Sequence, residues 1–153
     1  MIEFKQGNLL KSHLDALVNP VNCVGIMGKG LALQFKQKFP DNFLQYKDAC
    51  DRQFVKLGQM YITKTGNLFP RYIINFPTKY HWKDSSNIHS IQLGLKYLVK
   101  QINDLKICSI AIPSLGCGNG GLEWEKVKPI ILNYCRKLSP DIKIEIFEPL
   151  THN

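Results

Sequence analysis

Two glycine-rich segments constrain this chain most, because each follows an apolar run and each precedes a helical pattern. The first spans residues 24–30 (VGIMGKG) and the second spans residues 114–121 (SLGCGNGG). A strand that turns through glycines into a helix directs unpaired backbone N–H groups and the positive end of the helix dipole at one point, where anions bind. Two such turns predict a ligand with two adjacent phosphates held between them. The alternative is that the glycines only form tight turns.

Length and charge limit the classes of protein to which this sequence can belong. Its 153 residues are enough for one domain with a real core, so we expect a single domain over residues 1–153. Twenty Lys and Arg residues stand against twelve Asp and Glu residues, which gives a formal net charge of +8. This excess either attracts polyanionic partners, nucleic acid included, or is a solvated basic surface.

Apolar runs and cysteines indicate the compartment. No apolar run approaches the roughly 20 residues of a membrane span, and the first residues do not follow the pattern of a signal peptide. The five cysteines have neither CxxC spacing nor a pairing pattern, so we expect no metal site and no disulfide framework. We therefore expect a cytoplasmic protein that contacts no membrane and uses no cofactor, and we expect it to be a monomer.

Hydrophobic periodicity predicts alternating strands and helices. Strand patterns cover residues 2–5, 16–19, 60–64, 72–76, 107–112 and 142–147. Helical patterns cover residues 28–39, a segment from an N-cap at Asp41 to about residue 51, residues 88–102 and residues 124–138. This alternation predicts an α/β protein with a central mixed sheet between helical layers. Ligands of such sheets bind beyond the carboxyl ends of the strands, where both glycine loops are expected.

Neither glycine loop matches a standard nucleotide-binding motif in full. In the first loop, Lys29 is followed by Gly30 and not by Ser or Thr, so the segment is not a Walker P-loop. The second loop contains a formal GxGxxG over residues 116–121, and Glu148 stands where a Rossmann fold places its ribose-binding acid. We do not expect a dinucleotide-dependent dehydrogenase, because no second nucleotide-binding half follows in this sequence.

The segment 77–86 (PTKYHWKDSS) carries reactive side chains at a predicted strand end. It holds a histidine, two aromatic residues and Lys79 on the ligand side of the sheet, and loops carry functional residues disproportionately. The alternatives are a solvated lysine and a histidine that only packs. Cys23 and Cys117 stand beside the glycine loops without a flanking histidine or charge, so we interpret them as small buried residues and not as nucleophiles.

Three segments together resemble the macrodomains, an α/β/α fold that binds ADP-ribose. They are residues 16–22 (ALVNPVN), residues 25–32 (GIMGKGLA) and residues 112–118 (IPSLGCG). The resemblance covers essentially the whole chain, and the combination is far more specific than either glycine loop alone. It implies a three-layer α/β/α macrodomain with a central mixed β-sheet.

Within the macrodomains the chain is most similar to the DarG type, the antitoxin that removes ADP-ribose from thymine bases of DNA modified by the DarT toxin. Residues 7–10 (GNLL), 24–35, 75–82 (NFPTKYHW) and 116–124 carry this similarity. It implies that Lys79 is the catalytic residue and that the glycine loops hold the pyrophosphate. The expected ligand-binding residues are Asn8, Leu9, Asn19, Asn22, Gly28, Lys29, Gly30, Thr78, Ser114, Leu115, Gly116, Cys117, Gly118, Asn119, Gly120 and Gly121.

The roles of two asparagines, and two differences from the family pattern, affect the expected ligand contacts. The resemblance implies that Asn22 faces the distal ribose, whereas local sequence leaves open that Asn19 and Asn22 only cap the turn. Many macrodomains have Asp at the position of Asn8, where it bonds the adenine amino group. The macrodomain that cleaves ADP-ribose from protein glutamates has a catalytic Asp at the position of Gly120, so no general base is assigned here.

The sequence therefore predicts an ADP-ribosyl glycohydrolase that acts on thymine-linked ADP-ribose in DNA. Its expected partners are ADP-ribose, ADP-ribosylated single-stranded DNA and a DarT-type toxin. Lys79 is expected to attack C1″ of the distal ribose and form a lysyl–ADP-ribose or Schiff base that water resolves. Burial and positive charge from Lys29 or Lys83 are needed to lower its pKa from about 10.4. Tyr80 or Trp82 is expected to stack on a base.

Two other classes of function remain open from the sequence. One is a module that binds ADP-ribose without turnover. The other is a hydrolase of protein-linked ADP-ribose, O-acetyl-ADP-ribose or ADP-ribose 1″-phosphate. The glycine loops are common to all of these, and the lysine in the segment 77–86 favours an enzyme.

Overall fold

Within residues 1–150, which the computed structural model describes, strands and helices alternate along the chain. The last three residues of the predicted domain, 151–153, lie outside the described part. The strands are β1 (Ile2–Lys5), β2 (Ala16–Val21), β3 (Tyr61–Lys64), β4 (Tyr72–Pro77), β5 (Ser109–Ile112) and β6 (Lys143–Phe147). The helices are α1 (Gly30–Lys38), α2 (Pro40–Asp51), α3 (Ile88–Asp104) and α4 (Trp124–Cys135). None of these helices combines the length and the apolar character needed to cross a bilayer.

The six strands form one mixed sheet in the order β1-β6-β5-β2-β4-β3. Strand β3 runs antiparallel to β4, and the other neighbours pair in parallel. Since β2 lies between β5 and β4, the carboxyl ends of these three strands are adjacent. The first glycine loop follows β2, the second follows β5, and the segment with Lys79 follows β4. The topology therefore brings the three segments to one edge of the sheet.

Helices cover both faces of the sheet, which confirms the predicted three-layer α/β/α architecture. One core contains the buried faces of α3 and α4, with Ile91, Leu95 and Ile131 packed on the strands. On the opposite face, Phe35 of α1 and Tyr46 of α2 are completely buried. Burial of these apolar side chains is the main favourable term in folding.

Several local boundaries differ from the sequence-based expectation; strand β5 starts two residues later, at Ser109, and helix α4 ends three residues earlier, at Cys135. Strand β2 continues through Pro20 to Val21. Proline has no N–H to donate, but β5 pairs only with Ala16 and Leu17, so no hydrogen bond to β5 is lost at Pro20. Helix α1 starts at Gly30, so residues 28 and 29 stay in the loop. The predicted N-cap at Asp41 is wrong.

Helix α2 begins at Pro40, a residue whose fixed φ suits the first helical position. Asp41 lies in the first turn of the helix, and Phe39 takes the cap position without a side-chain hydrogen bond. The carboxylate of Asp41 is still favourably placed near the positive end of the helix dipole. Proline chemistry therefore overrides the capping preference of aspartate at this boundary.

The buried carboxylate of Asp15 joins the amino-terminal ends of three strands, opposite the glycine loops. Arg71 donates from Nε and Nη2 to its two oxygens, each at 2.8 Å, and the Cys108 N–H donates at 3.1 Å. The Asp15 N–H in turn donates to Ser109 Oγ. Burial alone raises the pKa of Asp15, but the hydrogen bonds from Arg71 and Cys108 and the Arg71 charge outweigh it and hold the pKa below its ordinary value.

We expect Asp15→Ala to lower the free energy of unfolding by about 2–3 kcal/mol, since it removes charge-assisted hydrogen bonds from partly buried groups. The contribution of Asp15 is present above the ordinary pKa of 3.8 and is lost as the pH falls below it toward the lowered folded-state pKa. Urea unfolding at pH 7 and in acid measures both effects. Asp104→Ala is the control, because the pair of Asp104 with Lys100 is exposed and should contribute less than about 1 kcal/mol. Equal losses in the two variants would contradict the assignment.

Candidate functional site

A cavity of about 600 Å³ lies at the carboxyl ends of β5, β2 and β4. Its walls come from the two glycine loops, the start of α1 and the segment that follows β4. The predicted site residues that line it are Asn22, Gly28, Lys29, Gly30, Thr78, Lys79, Ser114, Gly116, Gly118, Asn119 and Gly120. The structure thus brings together residues that are far apart in the sequence.

The side chain of Asn22 shapes the first glycine loop from inside. Its Oδ1 accepts from the backbone N–H groups of Val24 and Ile26 at 3.0 and 3.4 Å, and its Nδ2 donates to the Ile26 carbonyl at 2.8 Å. The buried hydroxyl of Tyr46 lies 2.9 Å from the same Oδ1 and donates to it or to the Asn22 carbonyl. Asn22 therefore caps the turn as well as lining the cavity.

The first turn of α1 faces the cavity with free backbone donors. Gly30 opens the helix at a φ of +64°, and Lys29 at the cap position makes no side-chain capping hydrogen bond. The N–H groups of such a first turn have no partner within the helix, and they carry the positive end of its dipole. A Cβ placed on Gly30 would lie 3.4 Å from Asn119 Nδ2, so the two glycine loops meet here. This position therefore has the N–H groups of the first turn of α1 on one side and the Asn119 Nδ2 donor on the other, an arrangement that suits an anion.

Ser86 fixes the second glycine loop to the segment after β4. Its N–H donates to the Gly120 carbonyl at 2.9 Å, and its buried Oγ has no hydrogen-bond partner among the described residues. A Cβ on Gly120 would lie 2.2 Å from this Oγ and 2.5 Å from the Gly116 carbonyl oxygen. No side chain fits at position 120 without movement of the loop, so the absence of an acid there has a steric basis.

Lys79 enters the cavity between these loops. Its Nζ donates to the Asn119 carbonyl at 3.4 Å, and its side chain is half-buried. Burial lowers the pKa of Lys79, and the positive charge of Lys29 lowers it further, whereas Asp84 acts in the opposite direction. A lysine with a lowered pKa has a larger neutral fraction near pH 7 and can act as a nucleophile.

Asn19 lies beneath the cavity and not in its wall. It is completely buried, and its Nδ2 donates to Asn75 Oδ1 at 3.1 Å. Asn75 and Asn42 exchange amide hydrogen bonds, and Thr63 donates to Asn42 Oδ1 at 2.7 Å. This buried network joins β2, β4, β3 and α2 below the first glycine loop. In this structure Asn19 supports the floor of the site.

The remaining predicted residues are also set back from the cavity wall. Leu9 and Leu115 are buried in the core, and Gly121 is an exposed turn residue with a φ of +80°. The Asn8 side chain caps the short 3-10 turn Leu9–Lys11 by accepting from the Leu10 N–H at 3.0 Å. Burial raises the pKa of the Cys117 thiol to about 11, which keeps it protonated and a poor nucleophile at neutral pH.

Several residues of the site are absent from the predicted list of ligand-binding residues. Apolar wall residues are contributed by Pro20, Val21, Ile26, Leu31, Ala32, Trp82 and Pro113. Trp82 is predicted from the sequence, as an alternative to Tyr80, to stack on a base, and the structure places it in the cavity wall, in the same segment as Lys79. Tyr46 and Ser86 act from outside the wall, and nothing in a single sequence distinguishes them from ordinary core and loop residues.

Comparison with known proteins gives the relatives of this chain. The Macro domain family model matches residues 18–131. Curated DNA ADP-ribosyl glycohydrolases of Mycobacterium tuberculosis and Thermus aquaticus are 47% and 48% identical over 97% and 98% of this chain. A DNA ADP-ribosyl transferase–DNA ADP-ribosyl glycohydrolase fusion protein of Thermosipho africanus is 36% identical over 95% of it. The chain spans only 42%, 42% and 41% of the lengths of these three proteins.

Solved structures of proteins from the same three organisms share the fold. The macrodomain of Mycobacterium tuberculosis DarG superposes with a TM-score of 0.96 at 47% identity, over 98% of this chain and 99% of the other. The macrodomain of Thermus aquaticus DarG gives 0.93 at 48% identity, over 97% and 99%. Thermosipho africanus DarTG, solved in complex with ADP-ribose, gives 0.92 at 37% identity, over 99% of this chain and 42% of that one.

The packing at Gly120 predicts a difference between two glycines of the same loop. Gly120→Ala should lower the free energy of unfolding by about 1–3 kcal/mol, the usual range for overpacking. Gly118→Ala is the matched control, because nothing lies within 4 Å of a Cβ there and its φ is ordinary. Thermal unfolding of both variants measures the effect. A Tm of Gly120→Ala equal to that of Gly118→Ala would show that the loop has room for a side chain.

Proposed function

This chain belongs to the macrodomain family, and from that premise we propose that it removes ADP-ribose from thymine bases of single-stranded DNA. The cavity between the two glycine loops, with Lys79 at its wall, is the observation that carries the proposal. The curated names of the Mycobacterium tuberculosis and Thermus aquaticus relatives support it. Because the chain spans only part of those proteins, activity, substrate and partners are all part of this proposal.

The pyrophosphate of ADP-ribose binds between the two glycine loops. Free N–H groups at the start of α1, the positive end of its dipole and the charge of Lys29 all favour an anion at this point. The structure of Thermosipho africanus DarTG with ADP-ribose supports the choice of ligand. This placement leaves the distal ribose beside Lys79 and Asn22, whose Nδ2 has a second hydrogen to donate to a ribose hydroxyl.

Lys79 then acts as the nucleophile. Its neutral Nζ attacks C1″ of the distal ribose, the bond from C1″ to the base breaks, and the electron pair leaves with the base, which takes up a proton. Loss of a proton from Nζ gives a lysyl–ADP-ribose. Transfer of the remaining Nζ proton to O4″, with breakage of the C1″–O4″ bond and formation of a C1″=N bond, converts it into the ring-opened Schiff base. Water then attacks C1″, restores the free amine and releases ADP-ribose. The sum of the steps is hydrolysis of one glycosidic bond by one water molecule.

The charges around Lys79 and its burial determine how much of it is in the neutral, reactive form. Phosphates bound nearby stabilise the ammonium form and oppose catalysis, whereas burial and Lys29 favour the amine. Gly120 matters here, because a carboxylate at that position would add a further negative charge close to Lys79 and Asn119. The steric exclusion of a side chain by Ser86 keeps the surroundings of Nζ free of it.

The proposal also includes one partner and a location. The Thermosipho africanus relative is a fusion of a transferase with a glycohydrolase, which supports a DarT-type transferase as the source of the modified DNA. We also propose a reducing cytoplasm as the location. The five cysteines are unpaired, and burial raises the pKa of the Cys23 and Cys135 thiols to about 11 and about 12. Unpaired cysteines are typical of reducing compartments.

Replacement of Lys79 tests the catalytic assignment. Lys79→Ala and Lys79→Arg should both lower kcat on thymine-linked ADP-ribose in a single-stranded oligonucleotide by at least about 100-fold, the lower range for a positioned reactive group. Arg keeps the positive charge but stays protonated, so it separates nucleophilic from electrostatic action. Gel mobility and mass spectrometry follow the release, and calorimetry checks that ADP-ribose still binds.

The outcome also separates the competing functions. Full hydrolysis by Lys79→Ala would remove the lysine mechanism but leave the substrate assignment intact. Binding of ADP-ribose by the wild type without release from any substrate would indicate a binding module. Release from ADP-ribosylated protein, O-acetyl-ADP-ribose or ADP-ribose 1″-phosphate, but not from DNA, would place the protein among the other macrodomain hydrolases.

Two charge changes should move the pH profile in opposite directions. Activity requires neutral Lys79, so kcat rises as the pH rises through its pKa. Lys29→Gln removes a charge that lowers this pKa and should shift the rising limb to higher pH. Asp84→Asn removes a charge that raises it and should shift the limb to lower pH. Asn retains an acceptor oxygen for the His81 N–H, which Asp84 accepts at 3.0 Å. Shifts in the same direction for both variants would contradict the account.

A further inference from the structure

The segment that follows β4 is held firmly at three points. The Thr78 N–H donates to the Val21 carbonyl at 2.9 Å, and the Ser86 N–H donates to the Gly120 carbonyl at 2.9 Å. Between these, the Tyr80 carbonyl accepts from the Cys23 N–H at 2.7 Å. The main chain of Tyr80 is thus fixed against the first glycine loop, one residue beyond Lys79.

The ring of Trp82, in the same segment, contacts other side chains of the protein. Its ring stacks on His81 with centroids 5.4 Å apart and an interplanar angle of 30°. Lys83 Nζ lies 5.0 Å from the centroid of the same ring. Trp82 also lines the cavity. These contacts make Trp82 a wall of the cavity whose ring faces are partly covered.

Tyr80 presents its ring to solvent. Its exposed fraction is 60%, and it does not line the cavity. Within residues 1–150 it takes part in no aromatic pair or cation–π contact, and its hydroxyl makes no hydrogen bond. An exposed ring on a fixed main chain is a stacking surface that loses little conformational entropy on binding.

The charges around this ring fit a nucleic-acid strand. Lys79 and Lys83 stand on either side of Tyr80 in the segment, and Lys29 lies across the cavity, whereas Asp84 is the negative charge of the same segment. Lysines bind backbone phosphates without regard to sequence. Base stacking on aromatic rings together with basic side chains is the usual mode of single-strand binding.

We propose that Tyr80 is the stacking surface for the base next to the modified thymine, and that Trp82 is not. This inference rests on the proposed function and specifies how the single strand is held at that site. The modified nucleotide lies at Lys79, and the neighbouring base packs on the exposed face of the Tyr80 ring outside the cavity. Stacking needs the ring and not the hydroxyl.

The test compares Tyr80→Ala with Tyr80→Phe on two substrates. One is a short single strand that carries ADP-ribose on an internal thymine, and the other is ADP-ribosyl-thymidine without neighbouring nucleotides. Tyr80→Ala should raise KM for the strand about 5- to 100-fold, the usual effect of losing one stacked base. The increase for the nucleoside should be at least about fivefold smaller, because no neighbouring base is present. Tyr80→Phe should restore the wild-type KM for the strand.

Phe69→Ala is the matched control, because Phe69 is similarly exposed at 57% and lies in the turn between β3 and β4, at the opposite end of β4 from Tyr80. Equal KM increases on both substrates would overturn the proposal, as would a Tyr80→Phe variant that behaves like Tyr80→Ala. Anisotropy of a labelled, unmodified thymidine strand gives an independent readout. If the wild type hydrolyses neither substrate, the proposed function fails. The binding measurement then decides whether Tyr80 stacks on a base. Equal affinity of the wild type and Tyr80→Ala for the unmodified strand would overturn the role of Tyr80.

Discussion

The parallel pairing of β2 with both β5 and β4 is the constraint on which the site depends. Parallel neighbours end at the same edge of a sheet, so the segments that follow these three strands are forced together. Through this pairing, the two glycine loops face each other at Gly30 and Asn119, and Lys79 reaches the second loop. The Asp15 carboxylate joins the same strands at their other ends, which fixes their relative position.

The site must satisfy two opposed electrostatic requirements. Phosphate binding needs positive potential, which the start of α1 and Lys29 provide. A nucleophilic lysine needs little negative charge nearby, because each bound phosphate favours the protonated form of the lysine. Lys29 serves both requirements at once, since its charge attracts the pyrophosphate and lowers the pKa of Lys79. The packing of Ser86 on Gly120 serves the second requirement by leaving no room for a carboxylate.

Much of the fold and part of the site could be predicted from the sequence. The apolar stripe of α3 and the continuous run of β5 give the right elements, because burial imposes these periods directly. The glycine loops and Lys79 are predicted by residue type and by resemblance, and the structure places them around one cavity. Asn19 was expected to bind ligand but lies in a buried amide network, since its role depends on Asn75 and Asn42, which are distant in sequence. Ser86 and Tyr46 cannot be predicted from the sequence, because each acts through tertiary contacts with residues distant in the chain.

Trapping the covalent intermediate tests directly whether Lys79 is the nucleophile. Wild-type protein is mixed with the thymine-modified strand in the presence of sodium borohydride, and the digested protein is mapped by mass spectrometry. We expect the peptide containing Lys79 to gain one reduced ADP-ribose, because the hydride converts the Schiff base into a stable secondary amine. Turnover under the same conditions with no adduct, or with an adduct on another residue, would contradict a nucleophilic role for Lys79.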